Sequence, residues 1–369
     1  MIYAYAFWQN FRLRNAQRFL IAGSESPHYH ADEPGKDHDL IIGNNLMRSL
    51  FFHRRLELES AMSSPNSLRF TWLALLAATA LFTGATHAQN FDKTEIKTEK
   101  LSPTTYVMYG AGGNLGLSIG EDAVFVIDDQ YAPMTAKITA AIKALTDKPV
   151  QFVLNTHWHG DHTGGNENFG KTGTLIVAHE NVRKRMSSDQ FIQLFKSQVP
   201  ASPKIALPVV TFTNDITFHL NGDDVFVFHV PKAHTDGDAI VHFRKSNVIH
   251  MGDTYFNGFY PFIDTSSGGT PDGVINAADR ALLLADDKTR IIPGHGLVST
   301  KADLKAYRDM LFTVNARVKA MMKDGKKLDD ILAARPSAEF DEKWGKAFIS
   351  PPRFIEMLVI AQTPAAAVK

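Results

Sequence analysis

The sequence predicts an α/β protein built as a four-layer αββα sandwich, two sheets packed face to face with helices outside. Three observations carry this expectation. Strand-like and helical runs fall in two successive halves, each opening on several strands. Gly-rich turns separate the strands of the first half. A short apolar strand runs directly into a histidine-rich loop. Periodicity alone leaves other α/β folds open.

In the first half, strands are expected at 105–109, 115–119 and 123–127, divided by turns that include Gly110, Gly112 and Gly113. Pro133 suits the first turn of a helix reaching about Leu145, because a first-turn N–H has no helical partner to lose. Ile138, Ile142 and Leu145 recur there at helical spacing. The stretches 150–154 and 174–178 read as strands, followed by a helical region to about Lys196 and a Pro-containing connection from Pro200 to Pro208. In the second half, strands are expected at 216–220, 225–230, 239–243 and 248–251, then a helix at 274–285. A strand at 290–292 ends in Pro293-Gly294-His295-Gly296, and 301–323 reads as a long helix.

Composition narrows the chemistry. Lys plus Arg equals Asp plus Glu at 39 each, so nothing points to nucleic acid or an anionic membrane surface. Cysteine is absent, which excludes disulfides, thiolate nucleophiles and Cys metal ligands. Any transition-metal site must draw on carboxylates and the 15 histidines.

Residues 70–82 read FTWLALLAATALF, preceded by Arg69 and followed by Thr86-His87-Ala88. That is the order of a secretory signal peptide, and the run falls short of the about 20 residues that span a bilayer. A buried helix is the plainer alternative. Starting at Met62 places the signal at 62–88 and makes 1–61 a misannotated or untranslated extension. The His28, His30 and His38 cluster falls in that extension and has no scaffold. The expected organisation is then a main domain at 89–325 and a C-terminal helical extension at 326–369. The mature protein would be periplasmic or secreted after cleavage near Ala88, with no membrane anchor.

The central motif is Asn155-Thr156-His157-Trp158-His159-Gly160-Asp161-His162-Thr163-Gly164-Gly165. Residues two apart in an extended segment point the same way, so His157 and His159 can share one metal. Gly160 lets the backbone turn and aim Asp161 and His162 at a second. Imidazole and carboxylate donors suit zinc, and also iron or manganese. A solvated His-rich loop is the bland alternative. The remaining histidines His179, His219, His229, His242 and His250 read as strand-end or packing residues.

This motif resembles that of the metallo-β-lactamase superfamily, and further landmarks come in the family's order. Ala233-His234-Thr235-Asp236-Gly237-Asp238 is similar to its third motif, His250-Met251-Gly252-Asp253-Thr254 to its fourth and Pro293-Gly294-His295-Gly296 to its fifth. The resemblance covers about 105–311. It implies the αββα fold and two Zn²⁺ per chain. One would be held by His157, His159 and His234, the other by Asp161, His162 and His295. Asp253 would bridge them, as in glyoxalase II-type members. Val126-Ile127-Asp128 resembles an early family motif whose Asp orients the metal-site loop. The implied activity is hydrolysis of a small molecule's carbonyl-type bond, an ester, lactone or β-lactam, by a hydroxide shared between the metals, with Asp161 orienting it. A thioester or phosphodiester substrate, and a metal-binding protein without turnover, are the alternatives.

The run Tyr255-Phe256-Asn257-Gly258-Phe259-Tyr260-Pro261-Phe262 comes just after Asp253. It reads as an apolar pocket wall with Phe256, Phe259, Tyr260 and, from the first motif, Trp158, or else as ordinary core. Ser266-Ser267-Gly268-Gly269 reads as a flexible loop near the site. No basic residue lies between Asp253 and Asp264 to hold a lactam carboxylate, leaving Lys232 and Arg244 in neighbouring segments as substitutes.

Overall fold

The structure, a computed structural model, describes residues 91–363. The expected signal peptide, Met62, the 1–61 extension and its His28, His30 and His38 cluster lie outside the described residues.

Strands β1 (Lys97–Lys100), β2 (Thr105–Tyr109), β3 (Leu115–Ile119) and β4 (Val124–Ile127) form an antiparallel run. After α1 (Thr135–Lys143), β5 (Val150–Asn155) joins β4 in parallel. Three short helices come next: α2 (Gly160–Thr163), α3 (Asn166–Lys171) and, after β6 (Leu175–His179), α4 (Glu180–Met186). A small hairpin, β7 (Gln190–Ile192) with β8 (Ser197–Val199), precedes the edge strand β9 (Val210–Phe212). These build a seven-stranded sheet in the order β1-β2-β3-β4-β5-β6-β9. The second sheet holds β10 (Asp215–Leu220), β11 (Asp223–His229), β12 (Ala239–Phe243), β13 (Val248–His250) and, beyond α5 (Pro271–Leu284), β14 (Arg290–Ile292). Helices α6 (Lys301–Lys323), α7 (Leu328–Ala334), α8 (Ala338–Trp344) and α9 (Pro351–Gln362) complete the chain.

Strand alternation sorts the side chains into layers. Phe125, Ile127 and Leu154 of the first sheet pack with Val227, Val241, Val248 and Ile292 of the second. Their neighbours Val124, Val126 and Val153 face the other way, onto Ile138 and Ile142 of α1. In the second sheet, Phe228, Ile240, Ile249 and Ile291 turn outward onto Val274 of α5 and Leu304 of α6. The architecture is the four-layer αββα sandwich. Ile331, Trp344, Phe354 and Leu358 of α7, α8 and α9 belong to that same outer cluster.

The chain departs from the sequence expectation where turn residues intervene. The helix expected to run to Lys196 stops at Met186, because Ser187-Ser188-Asp189 competes for backbone hydrogen bonds. The β7–β8 hairpin takes up the rest of that stretch, closed by Lys196 in the left-handed region. Two edge strands were not expected. β1 has the charged composition KTEK, and β9 is a three-residue strand after a Pro-rich connection. Short or charged edges of this kind resist pairing with other chains and carry little hydrophobic signal.

Candidate metal centre

The ligand-type residues stand at strand ends on one edge of the sandwich. β5 delivers His157 and His159, and α2 then carries Asp161 and His162. The chain leaving β11 carries His234, a turn after β13 carries Asp253, and the exit of β14 carries His295. Two bonds tie the loops across the two sheets, Ala239 N donating to Thr156 O and Asn114 N to Gly294 O, and Gly113 N donates to Asp161 O between loops of the first sheet. Two close approaches require glycine. A Cβ on Gly294 would collide with Asp253 Oδ1, and one on Gly113 with the His162 ring.

These residues form two groups. His157, His159, His234 and Asp253 offer ligand atoms within 4.8 Å of one another, and so do Asp161, His162 and His295. Asp253 faces both. Its Oδ2 lies 3.8 Å from His157 Nε2 and 3.6 Å from His234 Nε2. Its Oδ1 lies 3.0 Å from His162 Nε2 and 3.4 Å from His295 Nε2. Asp161 Oδ2 is 3.2 Å from His295 Nε2 and 3.5 Å from His162 Nε2.

Partners outside the two groups fix which nitrogen of each ring points inward. His162 Nδ1 donates to Asp128 Oδ2 at 2.8 Å, leaving Nε2 for the centre. Asp128 also accepts from Thr156 N and Thr156 Oγ1, both at 2.7 Å, and Thr156 Oγ1 lies 3.1 Å from His157 Nδ1. His234 Nδ1 donates to Phe262 O at 2.8 Å. His159 is turned round: its Nε2 donates to Asp264 Oδ2 at 3.0 Å, so Nδ1 faces inward. Asp264 was not singled out from sequence, although it stands beside the Ser266-Ser267 pair. That segment forms a short turn in which Asp264 accepts from the backbone and hydroxyls of both serines.

The donor set fits a cation. Among the described residues His157 Nε2 is buried without a hydrogen-bond partner, and His162 Nε2 and Asp253 Oδ1, 3.0 Å apart, are buried with no partner but each other and no hydrogen-bond geometry between them. Such atoms are costly unless something satisfies them. His159 Nδ1 and His234 Nε2 lie 2.9 Å apart with their outer nitrogens already donating, so two lone pairs face each other. A cation between them removes that repulsion.

Electrostatics divide the two groups. Burial holds the pKa of His157 well below its ordinary value and that of His234 down to about 4, so both are neutral ligands at pH 7. Burial also opposes the charge on His162, but Asp253, Asp161 and Asp128 outweigh it and hold its pKa well above the ordinary value. In the same balance, Asp253 and Asp161 raise His295 to about 9.

The residues expected to line a pocket diverge. Phe256 stacks on the His295 ring, with centroids 5.3 Å apart and planes at 12°. Phe259 borders a cavity of about 680 Å³ that reaches His295. Tyr260 does not border that cavity: it stacks on Phe354 and donates to Asp341 Oδ1, inside the helical layer. Trp158 packs with Val182, Met186 and Leu207, and its Nε1 donates to Ser267 Oγ. Of the substitute cations, Arg244 lies past the far end of β12, stacked over Phe226. Lys232 is exposed, and its carbonyl accepts from Thr270. Among the other histidines, His179 and His229 stack on each other and His250 Nε2 meets Asn114 O. His219 pairs with Asp224 at the surface, and His242 is half-buried with its Nδ1 unpartnered.

The family described as the Metallo-beta-lactamase superfamily matches residues 109–295. Relatives include the 2,4-dinitroanisole O-demethylase subunit alpha of Nocardioides sp. (strain JS1661), 27% identical over 145 residues, which are 38% of this chain and 40% of that protein. The hydroxyacylglutathione hydrolase of Pelagibacter ubique is 27% identical over 205 residues, 54% of this chain and 74% of that protein. Among solved structures, the sec-alkylsulfatase Pisa1 from Pseudomonas sp. superposes with a TM-score of 0.56 at 18% identity, over 72% of this chain and 50% of that one. The chain therefore spans half or less of the demethylase subunit and of the sulfatase, and the latter likeness concerns the fold.

The His295 shift sets a pH dependence for metal-free protein. Its folded pKa of about 9 lies above the ordinary 6.5, so its stabilising contribution is complete below about pH 6.5 and is lost as pH rises through 9. The unfolding temperature of chelator-treated protein should fall across that window. A midpoint that stays flat or rises there would show that His295 gains no charge-dependent partner on folding.

Proposed function

Because the chain belongs to the metallo-beta-lactamase superfamily, we propose that it is an exported two-zinc hydrolase of a small molecule's carbonyl-type bond, an ester or lactone before a β-lactam. The observation that carries the two-metal reading is Asp253, whose oxygens turn to separate groups of histidines. His157, His159 and His234 would hold one ion and Asp161, His162 and His295 the other. Bound zinc supplies Lewis acidity and makes hydroxide available from water at neutral pH. Asp161 lies at the open side, 22% exposed beside His295 at 23%. Its Oδ2 faces His295 at 3.2 Å. Burial opposes its charge, but His162 and His295 outweigh burial and hold its pKa down to about 2, so it stays a carboxylate that can orient attacking water by accepting its hydrogen bond. Asp264 and Asp128 keep the imidazoles of His159 and His162 oriented toward the centre.

A thioester is the second reading, favoured by the relatives named hydroxyacylglutathione hydrolase. A hydrolysis screen of zinc-loaded protein over esters, lactones, thioesters, phosphodiesters and lactams separates these classes. Absence of turnover on all of them would leave a metal-binding protein of the same fold.

Elemental analysis of metal-replete protein should find about two ions per chain, and Asp253→Ser should retain about one, with turnover reduced. The first group keeps three histidines, whereas the second loses the anion beside His162 and His295. Retention of both ions and full activity in the variant would remove Asp253 from the ligand set.

Lactam turnover should be weak beside ester or lactone turnover, since Arg244 is remote and no cation occupies the stretch after Asp253. A penicillin or carbapenem kcat/KM of about 10⁶ M⁻¹s⁻¹ or more, with esters far slower, would make the protein a dedicated lactamase.

Export rests on the run at 70–82. A chain begun at Met62 should reach the periplasm of a bacterial host and lose its leader near Ala88. N-terminal sequencing that finds residues 62–88 retained on active protein would overturn the assignment, as would residues 1–61 retained when the full chain is expressed.

A further inference from the structure

The cavity that reaches His295 has a wall made by chain well beyond the last metal-type ligand. Tyr109, Phe259, Leu297 and Phe348 supply its apolar surface. Phe348 lies between α8 and α9, next to Ile349, which is fully buried in the outer core with Trp344. That anchoring holds Phe348 outward, 51% exposed, while Leu297 is 70% exposed. Large apolar side chains left open beside a polar centre mark a surface that something else covers. The surface is continuous with the centre. The Phe348 ring lies 6.4 Å from that of His295 and 6.1 Å from Phe256, which itself stacks on His295.

Charge around the cavity argues against an anionic guest. Lys97 is flanked by Glu95 and Glu99 on the same wall. Glu99 already binds Arg290 at 2.6 Å and accepts from the Tyr109 hydroxyl at 3.2 Å. Among the residues lining the cavity, two carboxylates, Glu95 and Glu99, stand against one lysine, Lys97.

We propose that Phe348, with Leu297 and Phe259, forms a subsite for the neutral apolar chain of the substrate, holding it beside His295 while the bond to be cleaved lies at the centre. The proposal rests on the hydrolase reading and names its substrate class: esters or lactones with an uncharged alkyl or aryl group rather than carboxylate-bearing substrates. The apolar surface is open on one side, so each added methylene should be only partly buried. A fully buried one is worth about fourfold in binding, and about twofold is expected here.

The test compares 4-nitrophenyl acetate, 4-nitrophenyl hexanoate and the mono-4-nitrophenyl ester of adipic acid on zinc-loaded full-length protein and on Phe348→Ala. In the unaltered protein, kcat/KM should rise about fifteenfold over the four added methylenes from acetate to hexanoate and fall about tenfold again for the carboxylate-ended chain. Phe348→Ala should collapse the hexanoate-to-acetate ratio toward unity, mainly through KM. A ratio unchanged by the substitution, or a preference for the adipate ester, would overturn the subsite. Binding of hexanophenone, a ketone that cannot be hydrolysed, is followed by ligand-observed NMR and separates the two ideas. If no ester turns over but hexanophenone binds and Phe348→Ala weakens it severalfold, the hydrolase reading fails and the subsite stands. If esters turn over and hexanophenone binding ignores the substitution, the subsite fails and the hydrolase reading stands.

Discussion

Asp253 is 5% exposed, and its carboxylate is ringed by four imidazoles. A charge so placed cannot be supported by water, and the surrounding structure answers to that constraint. Each oxygen must have positive charge near it, and the two oxygens point to different groups of rings. That requires ligands from the ends of β5, β11, β13 and β14 to meet at one edge, and it requires the loops to pass close enough to touch. Glycine at 113 and 294 allows the passage, and hydrogen bonds from Gly113 within the first sheet's loops and from Asn114 and Ala239 across the sheets keep it closed.

The centre therefore straddles the seam of the sandwich. One sheet supplies His157 and His159, the other supplies His234, Asp253 and His295. Packing of Phe125, Ile127 and Leu154 against Val227, Val241 and Ile292 sets the distance between the two contributions. Close-packed interiors deform little, so this core acts as a rigid mount. Asp128 carries the same logic to the loop. One buried carboxylate receives Thr156 N, Thr156 Oγ1 and His162 Nδ1, linking the end of β5 to the start of α2. Its φ of 59° is a conformation a non-glycine residue adopts only when its surroundings hold it there.

The parts of this arrangement written locally were legible in the sequence. Four donors within six residues after an apolar strand announce a site, and the short, largely apolar runs at 150–154 and 239–243 announce strands. The illegible parts depend on contacts between distant segments. Asp264 holds His159 across 105 residues, and its neighbours Ser266-Ser267-Gly268-Gly269 read from sequence as a flexible loop. In the folded chain, that loop is a turn closed on the Asp264 carboxylate. Phe348 is equally invisible, because nothing in its own neighbourhood shows that it lies over His295. The stop at Met186 was written locally, in Ser187-Ser188-Asp189, but helical spacing outweighs it when the sequence is read alone.

The aromatic run after Asp253 shows how one local signal divides in three dimensions. Tyr255 and Tyr260 enter the helical core, where Tyr255 meets Tyr307 and Tyr260 meets Phe354. Phe256 and Phe262 instead flank the metal-type ligands. Phe256 lies flat on His295, while Phe262 lies nearly flat on His159 at 5.6 Å and gives its carbonyl to His234. Both groups of ligands are thus backed by a phenyl ring. Rings in that position displace water, which lowers the local dielectric and strengthens the interaction of each carboxylate with whatever positive charge the centre holds. The same apolar backing continues outward through Phe259, Leu297 and Phe348, so the surface that strengthens the centre's electrostatics would also meet the proposed substrate. A polar substrate would have to lose its own hydration against that wall, whereas an apolar one would leave water favourably. Selection for an apolar group and a strong electrostatic centre then arise from one feature, the exclusion of water by the aromatic residues around His295.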